Sequence, residues 1–449
     1  SGGISEFAME SYFGRINLSY LDRYILNVTM RSDGSSRFAP SDRYGYFPSV
    51  SLGWNVSKES FWKFPQTDLK FRLSYGKTGN QDGIGNYAWQ PLMSGGINYG
   101  NNSGMAVTSM GNNKLTWETA DQYVFGFDLG FWNGKLNMIA DIYLKNTNNL
   151  LYSMPLHGTS GFTSITSNIG SMRNYGVEFS INGHLNIGKV NWTSSFNISH
   201  NKNKLTKLLG DDLLPIGSNR ALKVGEELGA FYLFQMDGLY QYDGEVPQPL
   251  YDLGVRAGDV KYHDADNNGI INDNDRVLTG SSNPDFFGGW NNTFKYKGFQ
   301  LDVFFTYMYG NDVYAEWAVT ATRPGYRMAI TEDVAKNRWT APGSSDKYPR
   351  AVNTLCGHNS KNSTRFLEDG SFIRLRSLTF SYTFPQVMLQ KICLKGLRLY
   401  VQGDNLLLFS KYSGWDPEVS KNMDPQYFGV DLYGVPPSRS VNFGINLSF

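Results

Sequence analysis

The 449-residue chain contains no run near the roughly 20 consecutive apolar residues that a membrane-spanning helix needs, which excludes a helical membrane protein. It has almost no net charge: 41 Lys and Arg against 40 Asp and Glu leave +1, so bulk charge argues for neither nucleic acid nor an acidic partner. Cysteine is scarce. Cys356 and Cys393 stand far apart, form no disulfide framework, and are expected to be unpaired. The five histidines, His157, His184, His200, His263 and His358, share no metal-ligand spacing. Gly158-Thr159-Ser160-Gly161 lacks both the spacing and the strand-to-helix setting of a nucleophile turn, and no enzyme is expected. The opening Ser1–Glu6 has neither the basic region nor the apolar stretch of a secretory signal, so a processed or incomplete secreted protein is expected.

Aromatic residues and glycine are what the chain has in excess. Only 41% of residues are hydrophobic, yet 15% are aromatic, with 28 Tyr, 29 Phe and 10 Trp, and there are 48 Gly. Mean hydropathy is −0.38. A transmembrane β-barrel has this profile, because its lipid face takes only alternate residues and its aromatics gather at the two interfaces.

The last nine residues, Val441–Phe449, alternate apolar and polar and stop on an aromatic. A period of two means a strand with one apolar and one wet face, in a soluble sheet or a barrel wall alike. The same period recurs at Leu397-Leu399-Val401, Phe380-Tyr382-Phe384, Phe299–Tyr307, Trp192-Phe196-Ile198, Val177-Phe179-Ile181 and Tyr123–Phe131. Upstream it returns at Leu69–Tyr75, Val50–Val56, Leu26–Met30 and Ile16–Tyr20. About 13 strands have the length expected of tilted bilayer-spanning strands.

Connection lengths alternate. Leu21-Asp22-Arg23, Asn133-Gly134 and Lys297-Gly298 read as tight turns. Between them come long stretches at Asn146–Ser171 and at about 77–119, 201–285, 308–370 and 411–438. Brief periplasmic turns and extended outer loops alternate in this way, and a periplasmic Phe449 puts every short turn on the periplasmic side. The odd strand count fits the carboxy-terminal part of a larger barrel better than a closed one, since single-chain bacterial barrels have even counts.

Several motifs in series are similar to SusC/RagA-type TonB-dependent transporters of Bacteroidetes. They include Ser11–Asn17 followed by Asp22-Arg23-Tyr24, Arg31–Phe38, Phe47–Trp54 and Ser74–Gln81, while Asn174–Glu178 is similar to a motif shared by TonB-dependent receptors generally. Near the carboxy terminus, Asp369–Arg376, Gly403–Leu407 and Gly414–Glu418 extend the resemblance, which runs from Ser11 to Phe449. It implies an all-β fold, the antiparallel carboxy-terminal part of an outer-membrane barrel of about 22 strands whose lumen holds an amino-terminal plug. The plug, and about nine preceding strands, have no counterpart in these residues. The resemblance further implies active import of oligosaccharide, or of peptide by the same mechanism, energised by TonB through the plug beneath a SusD-like lipoprotein lid. A non-transporting adhesin or passive pore is the remaining reading.

One segment carries ligand chemistry. Asp264-Ala265-Asp266-Asn267-Asn268-Gly269-Ile270-Ile271-Asn272-Asp273-Asn274-Asp275 places oxygen ligands at loop positions 1, 3, 5 and 12 and Gly at 6, the calcium-loop spacing. The expected Ca²⁺ ligands are Asp264, Asp266, Asn268, the Ile270 carbonyl and Asp275, with a structural role. Asp275 stands where a longer Glu is usual, and an Asx-rich turn that binds nothing is the competing reading. Outer-loop aromatics Trp89, Tyr99, Tyr240, Tyr242, Trp317 and Trp415 are candidates either to stack on sugar rings, to pack the loops, or to touch the lid.

Overall fold

A computed structural model describes residues 5–208, 213–325, 328–352, 357–390, 394–421 and 427–449. Cys356 and Cys393 lie outside the described residues. Among the described residues thirteen long strands, of nine to 24 residues, carry the fold, and each neighbouring pair whose register is defined is antiparallel. Contacts divide the chain into two units: Ser1–Leu185, Ser194–Asp212 and Lys223–Glu226 form one, and Asn186–Thr193, Leu213–Leu222 and Glu227–Phe449 the other.

In the first unit the strands Met9–Tyr20, Tyr24–Ser35, Tyr44–Asn55, Thr67–Asn80, Glu118–Phe131, Leu136–Pro155 and Ser164–Ile187 pair in sequence order. Directly opposed residues share a face, so the register sorts each strand's alternation into rows. Leu18, Leu26, Leu52, Leu73, Phe125, Ile142 and Val177 make one apolar row. One residue along, Asn17, Asn27, Ser51 and Ser74 make a polar row on the opposite face. A one-residue slip would exchange the two faces completely, and therefore burial of one face in lipid specifies register strongly. At Leu21-Asp22 both central residues have positive φ (54° each) and Arg23 N–H donates to the Tyr20 carbonyl at 3.0 Å. That is the turn whose twist matches the flanking strands.

Asn146–Ser171 is not a long connection. The strands Leu136–Pro155 and Ser164–Ile187 stay paired almost to their tips, through Leu151 opposite Asn168 and Met154 opposite Ile165, and only residues 156–163 join them. The Asn-rich composition reads as loop, but Asn149 takes positive φ (58°) at a register shift and the ladder resumes beyond it.

In the second unit Phe286–Tyr296, Phe299–Tyr309, Phe372–Thr383, Gly396–Ser410 and Ser440–Ser448 repeat the meander. Apolar rows such as Leu301, Phe380, Val401 and Phe443 again alternate with polar ones such as Asp302, Thr379, Gln402 and Asn442. The buried apolar residues gather in the connections. Phe38, Phe47, Ile84, Leu115 and Trp117 form a cluster in the first unit. In the second, Phe231, Leu233, Val313, Tyr314, Phe366 and Val430 form one cluster, and Phe234, Leu239, Tyr240, Leu250, Val260, Tyr262 and Ile271 another.

Candidate functional site

The polar face of the first unit holds a concavity of about 510 Å³ lined by Arg15, Asn17, Asn27, Ser51, Ser74 and Gln122. Hydroxyls and carboxamides dominate, neutral groups that both donate and accept hydrogen bonds. Further along the same face Arg72 bridges Asp128 at 2.9 Å and Asp141 at 3.0 Å. The opposite face presents Leu18, Tyr24, Leu26, Leu52, Trp54 and Phe125 around a hollow of about 490 Å³. Such a large exposed apolar surface is stable only against another apolar phase.

The second unit carries the acidic loop. Its entry strand Val260–Tyr262 pairs with Met236–Leu239, and its exit strand Arg276–Ser281 pairs with Ala230–Phe234, so both ends are anchored. Ile271, buried in the cluster around Val260, pins the middle. Asn267 (φ 56°) and Gly269 (φ 77°) make the bend that turns the ligand groups inward. Asp264 accepts from Gly269 N–H at 2.7 Å and Asn268 N–H at 3.1 Å, and these donors, Gly269 first, hold its carboxyl below the usual carboxylate range. Asp275 is fully buried and receives Ala265 N–H at 2.9 Å and Asn272 N–H at 2.7 Å.

Carboxylate oxygens of Asp264, Asp266 and Asp275 lie within 4.8 Å of one another. Oxygens sharing one Ca²⁺ at about 2.3–2.6 Å cannot be more than about 5 Å apart, so these three fit a single ion. Asn268 is drawn in, its amide donating to Asp266 at 2.8 Å and its Oδ1 accepting from Ile270 N–H at 2.8 Å. The Ile270 side chain is exposed. His263 sits outside the ring, 3.3 Å from Asp237.

Beneath the acidic loop lies a buried network that spacing alone does not reveal. Arg350 grips Asp259 through two contacts of 2.9 Å, Asn359 donates to Asp259 at 2.8 Å, and Val260 N–H donates to Asn359 at 2.8 Å. His358 Nε2 lies 2.8 Å from the Val260 carbonyl, and Tyr262 donates to the His358 carbonyl at 2.8 Å. Burial pushes His358 below the usual imidazole range. A second network joins two sequence motifs: Arg374, buried, meets buried Asp416 at 2.6 Å, and Glu418 lies 3.1 Å from Arg374 and 2.8 Å from Arg376. The pairing of Asp369–Arg376 with Gly414–Glu418 therefore has a structural reason.

The candidate aromatics divide. Tyr240 is buried in the cluster around Val260, and Trp317 packs on the cluster around Tyr314 with its indole N–H donating to Tyr412 at 3.1 Å. These two pack loops. Tyr99, Tyr242 and Trp415 are exposed, at 90%, 61% and 80%.

The sequence matches the family model described as TonB dependent receptor-like, beta-barrel over residues 4–406. TonB-dependent receptor P3 of Formosa agariphila is 34% identical over 471 residues, covering all of this chain and 46% of that protein. TonB-dependent receptor SusC of Bacteroides thetaiotaomicron is 31% identical, covering 98% of this chain and 43% of SusC. The solved RagAB peptide transporter superposes with a TM-score of 0.86 at 27% identity, over 99% of this chain and 48% of that one. The chain thus spans about half the length of the curated relatives it matches, and those relatives are named as receptors rather than enzymes. With two-faced antiparallel strands, an apolar outer surface and these relatives, the chain belongs to the SusC/RagA-type TonB-dependent receptor family of outer-membrane β-barrels.

Proposed function

We propose that this chain supplies the barrel wall of a TonB-dependent importer that takes up nutrient oligosaccharides beneath a SusD-like lipoprotein lid. The observation that carries this reading is the sorting of central register rows of the first unit into an apolar face and a hydroxyl- and carboxamide-rich face, with the concavity beside Asn27 and Ser51 on the latter. Around that concavity such a face would hydrogen-bond a polar oligomer chiefly through neutral groups, with Arg15 the one charged side chain in its lining. The long connections, which carry their own buried clusters, are the surface on which the lid would sit. In this reading those connections face the cell exterior, the short turns face the periplasm, and the plug and TonB complete the machine.

Peptide cargo is the second reading, favoured by the similarity to the RagAB peptide importer. Mass spectrometry of small molecules released from the natively purified full-length receptor separates the two: hexose or uronate ladders support the first, amino-acid ladders the second. Cargo uptake that survives loss of TonB would sink both in favour of a passive pore. Surface biotinylation of intact cells should reach the long connections only, and labelling at Lys297-Gly298 from outside would reverse the topology.

The acidic loop we assign to one structural Ca²⁺, held by Asp264, Asp266, Asn268, the Ile270 carbonyl and Asp275. The ion would offset the mutual repulsion of carboxylates packed within one short loop. Its effect would be to stiffen the connection between Ala230–Phe234 and Arg276–Ser281 without any part in chemistry.

A further inference from the structure

The apolar face of the first unit ends abruptly on the side of the long connections. There Tyr75, Tyr123, Leu144 and Tyr175 form its outermost apolar row, and the next residue outward on the same face of each strand is Lys77, Asp121, Asn146 and Arg173. Two residues of strand rise are about 7 Å, the step from an aromatic interfacial belt to headgroup depth. Asp121 stands directly opposite Lys77 and accepts from Tyr75 at 2.9 Å.

The strand Val190–Leu208 carries the charge further. The Tyr143 hydroxyl passes its own partner Gly176 to reach Asn201 at 2.9 Å, and Ser195 donates to Asn182 at 2.5 Å. Both contacts set the same register, which places Lys202 across from Tyr175 and Lys204 across from Arg173. All three cations are exposed. Arg173 donates to the Asn146 carboxamide at 2.9 Å, and among the described residues no carboxylate pairs with Arg173, Lys202 or Lys204. Like charges directly opposite in an antiparallel pair are destabilising, so this arrangement calls for an external anion.

We propose that Arg173, Lys202 and Lys204 dock the phosphate of a phosphorylated lipid headgroup, whose acyl chains lie on Tyr175, Val177 and Ile142. Charge complementarity and depth favour a lipid over a protein partner: the cations stand at the rim of a surface that only acyl chains cover. The proposal rests on the membrane-barrel reading of the apolar face, and it is independent of what the barrel imports.

Native mass spectrometry of the full-length receptor in detergent tests it, with bis-phosphorylated lipid A, dephosphorylated lipid A and inorganic phosphate as probes. Each cation near an anionic surface contributes about fivefold in affinity, so R173Q/K202Q/K204Q should bind phosphorylated lipid A roughly a hundredfold more weakly, and Lys204→Gln alone about fivefold. Lys77→Gln, whose direct cross-strand neighbour is the carboxylate of Asp121, should stay within about twofold. Equal binding by the triple variant, equal binding of the dephosphorylated lipid, or full displacement by millimolar inorganic phosphate would each overturn the proposal. Heat-modifiable migration reports folding of each variant, with the single Lys204 variant as the measure if the triple fails to fold. Cargo uptake measured alongside separates this site from the importer reading, since uptake should be unchanged when lipid binding is lost.

Discussion

Replacing Asp416 by Asn removes one charge from the pair with Arg374 and keeps the shape of the side chain. Arg374 is only 3% exposed, and Asp416 4%, so solvent screens neither. Breaking a buried pair by deleting one partner costs about 3–5 kcal/mol, because the remaining charge is left uncompensated. Glu418 lowers that figure here: it lies 3.1 Å from Arg374 Nε, but it is partly exposed and already shared with Arg376 at 2.8 Å. The expected loss is then about 2–3 kcal/mol, at or just below the bottom of that range. It should be local. The backbone of residues 411–421 and 427–438 is tied down by Asp416 itself, which accepts Glu418 N–H at 2.8 Å, and by contacts such as Gly429 N–H to the Val419 carbonyl at 2.8 Å. Hydrogen exchange of the full-length receptor is the assay. Protected amides in 411–421 and 427–438 should exchange roughly 30- to 150-fold faster in the variant, while those of Phe299–Tyr309 should be unchanged. A double variant, R374M/D416L, removes both charges and should recover most of the protection, since a well-packed apolar pair can replace a buried ion pair with little loss. Unchanged exchange in Asp416→Asn, or a double variant worse than the single, would refute the reasoning.

Three further outcomes follow from the same structure. Millimolar Ca²⁺ should slow hydrogen exchange across 260–281 and Asp264→Ala should abolish that response; titration calorimetry showing no Ca²⁺ binding to the intact receptor would reject the ion. His358 is held below its ordinary value of 6.5 by burial, so the unfolded connection takes up the proton first as pH falls. Stability that His358 contributes is therefore complete above about pH 6.5 and declines below it, and exchange around 259–262 and 357–360, corrected for intrinsic rates, should quicken between pH 7 and pH 5 in the native protein but not in His358→Gln. Leu73→Arg should cost about 2–4 kcal/mol in folding into vesicles, because row partners Leu52 and Phe125 place it amid the apolar face, whereas Ser74→Arg on the polar face should cost far less. Equal costs for the two would contradict the assignment of faces.

The alternation of apolar and polar residues was legible in the sequence because an extended chain points successive side chains to opposite faces whatever its neighbours are. Strand identity, the two faces and the tight turn at Leu21-Asp22 all followed from that local rule. So did the spacing of the acidic loop, whose ligand groups are near one another along the chain. What depends on a distant partner was not legible. Residues 146–171 looked like a loop because Asn is poor in strands, yet cross-strand pairing extends the ladder through them. Arg376 is an extra residue at a bulge, as are Asn405, at positive φ (52°), and Leu406 opposite it. There the period of two breaks, and Ile373 and Leu375 join the apolar face of Leu378 and Phe380 although their numbers differ in parity. For Tyr240 and Trp317 the sequence leaves cargo contact, loop packing and lid contact all open, and the connections that fold over them decide for packing. The ion pair of Arg374 with Asp416, the His358 hub, and the placing of Lys204 opposite Arg173 were decided by tertiary structure alone: strand register and the folding of the connections bring together charges that are far apart along the chain, and charges act strongly on each other only at the short separations this creates.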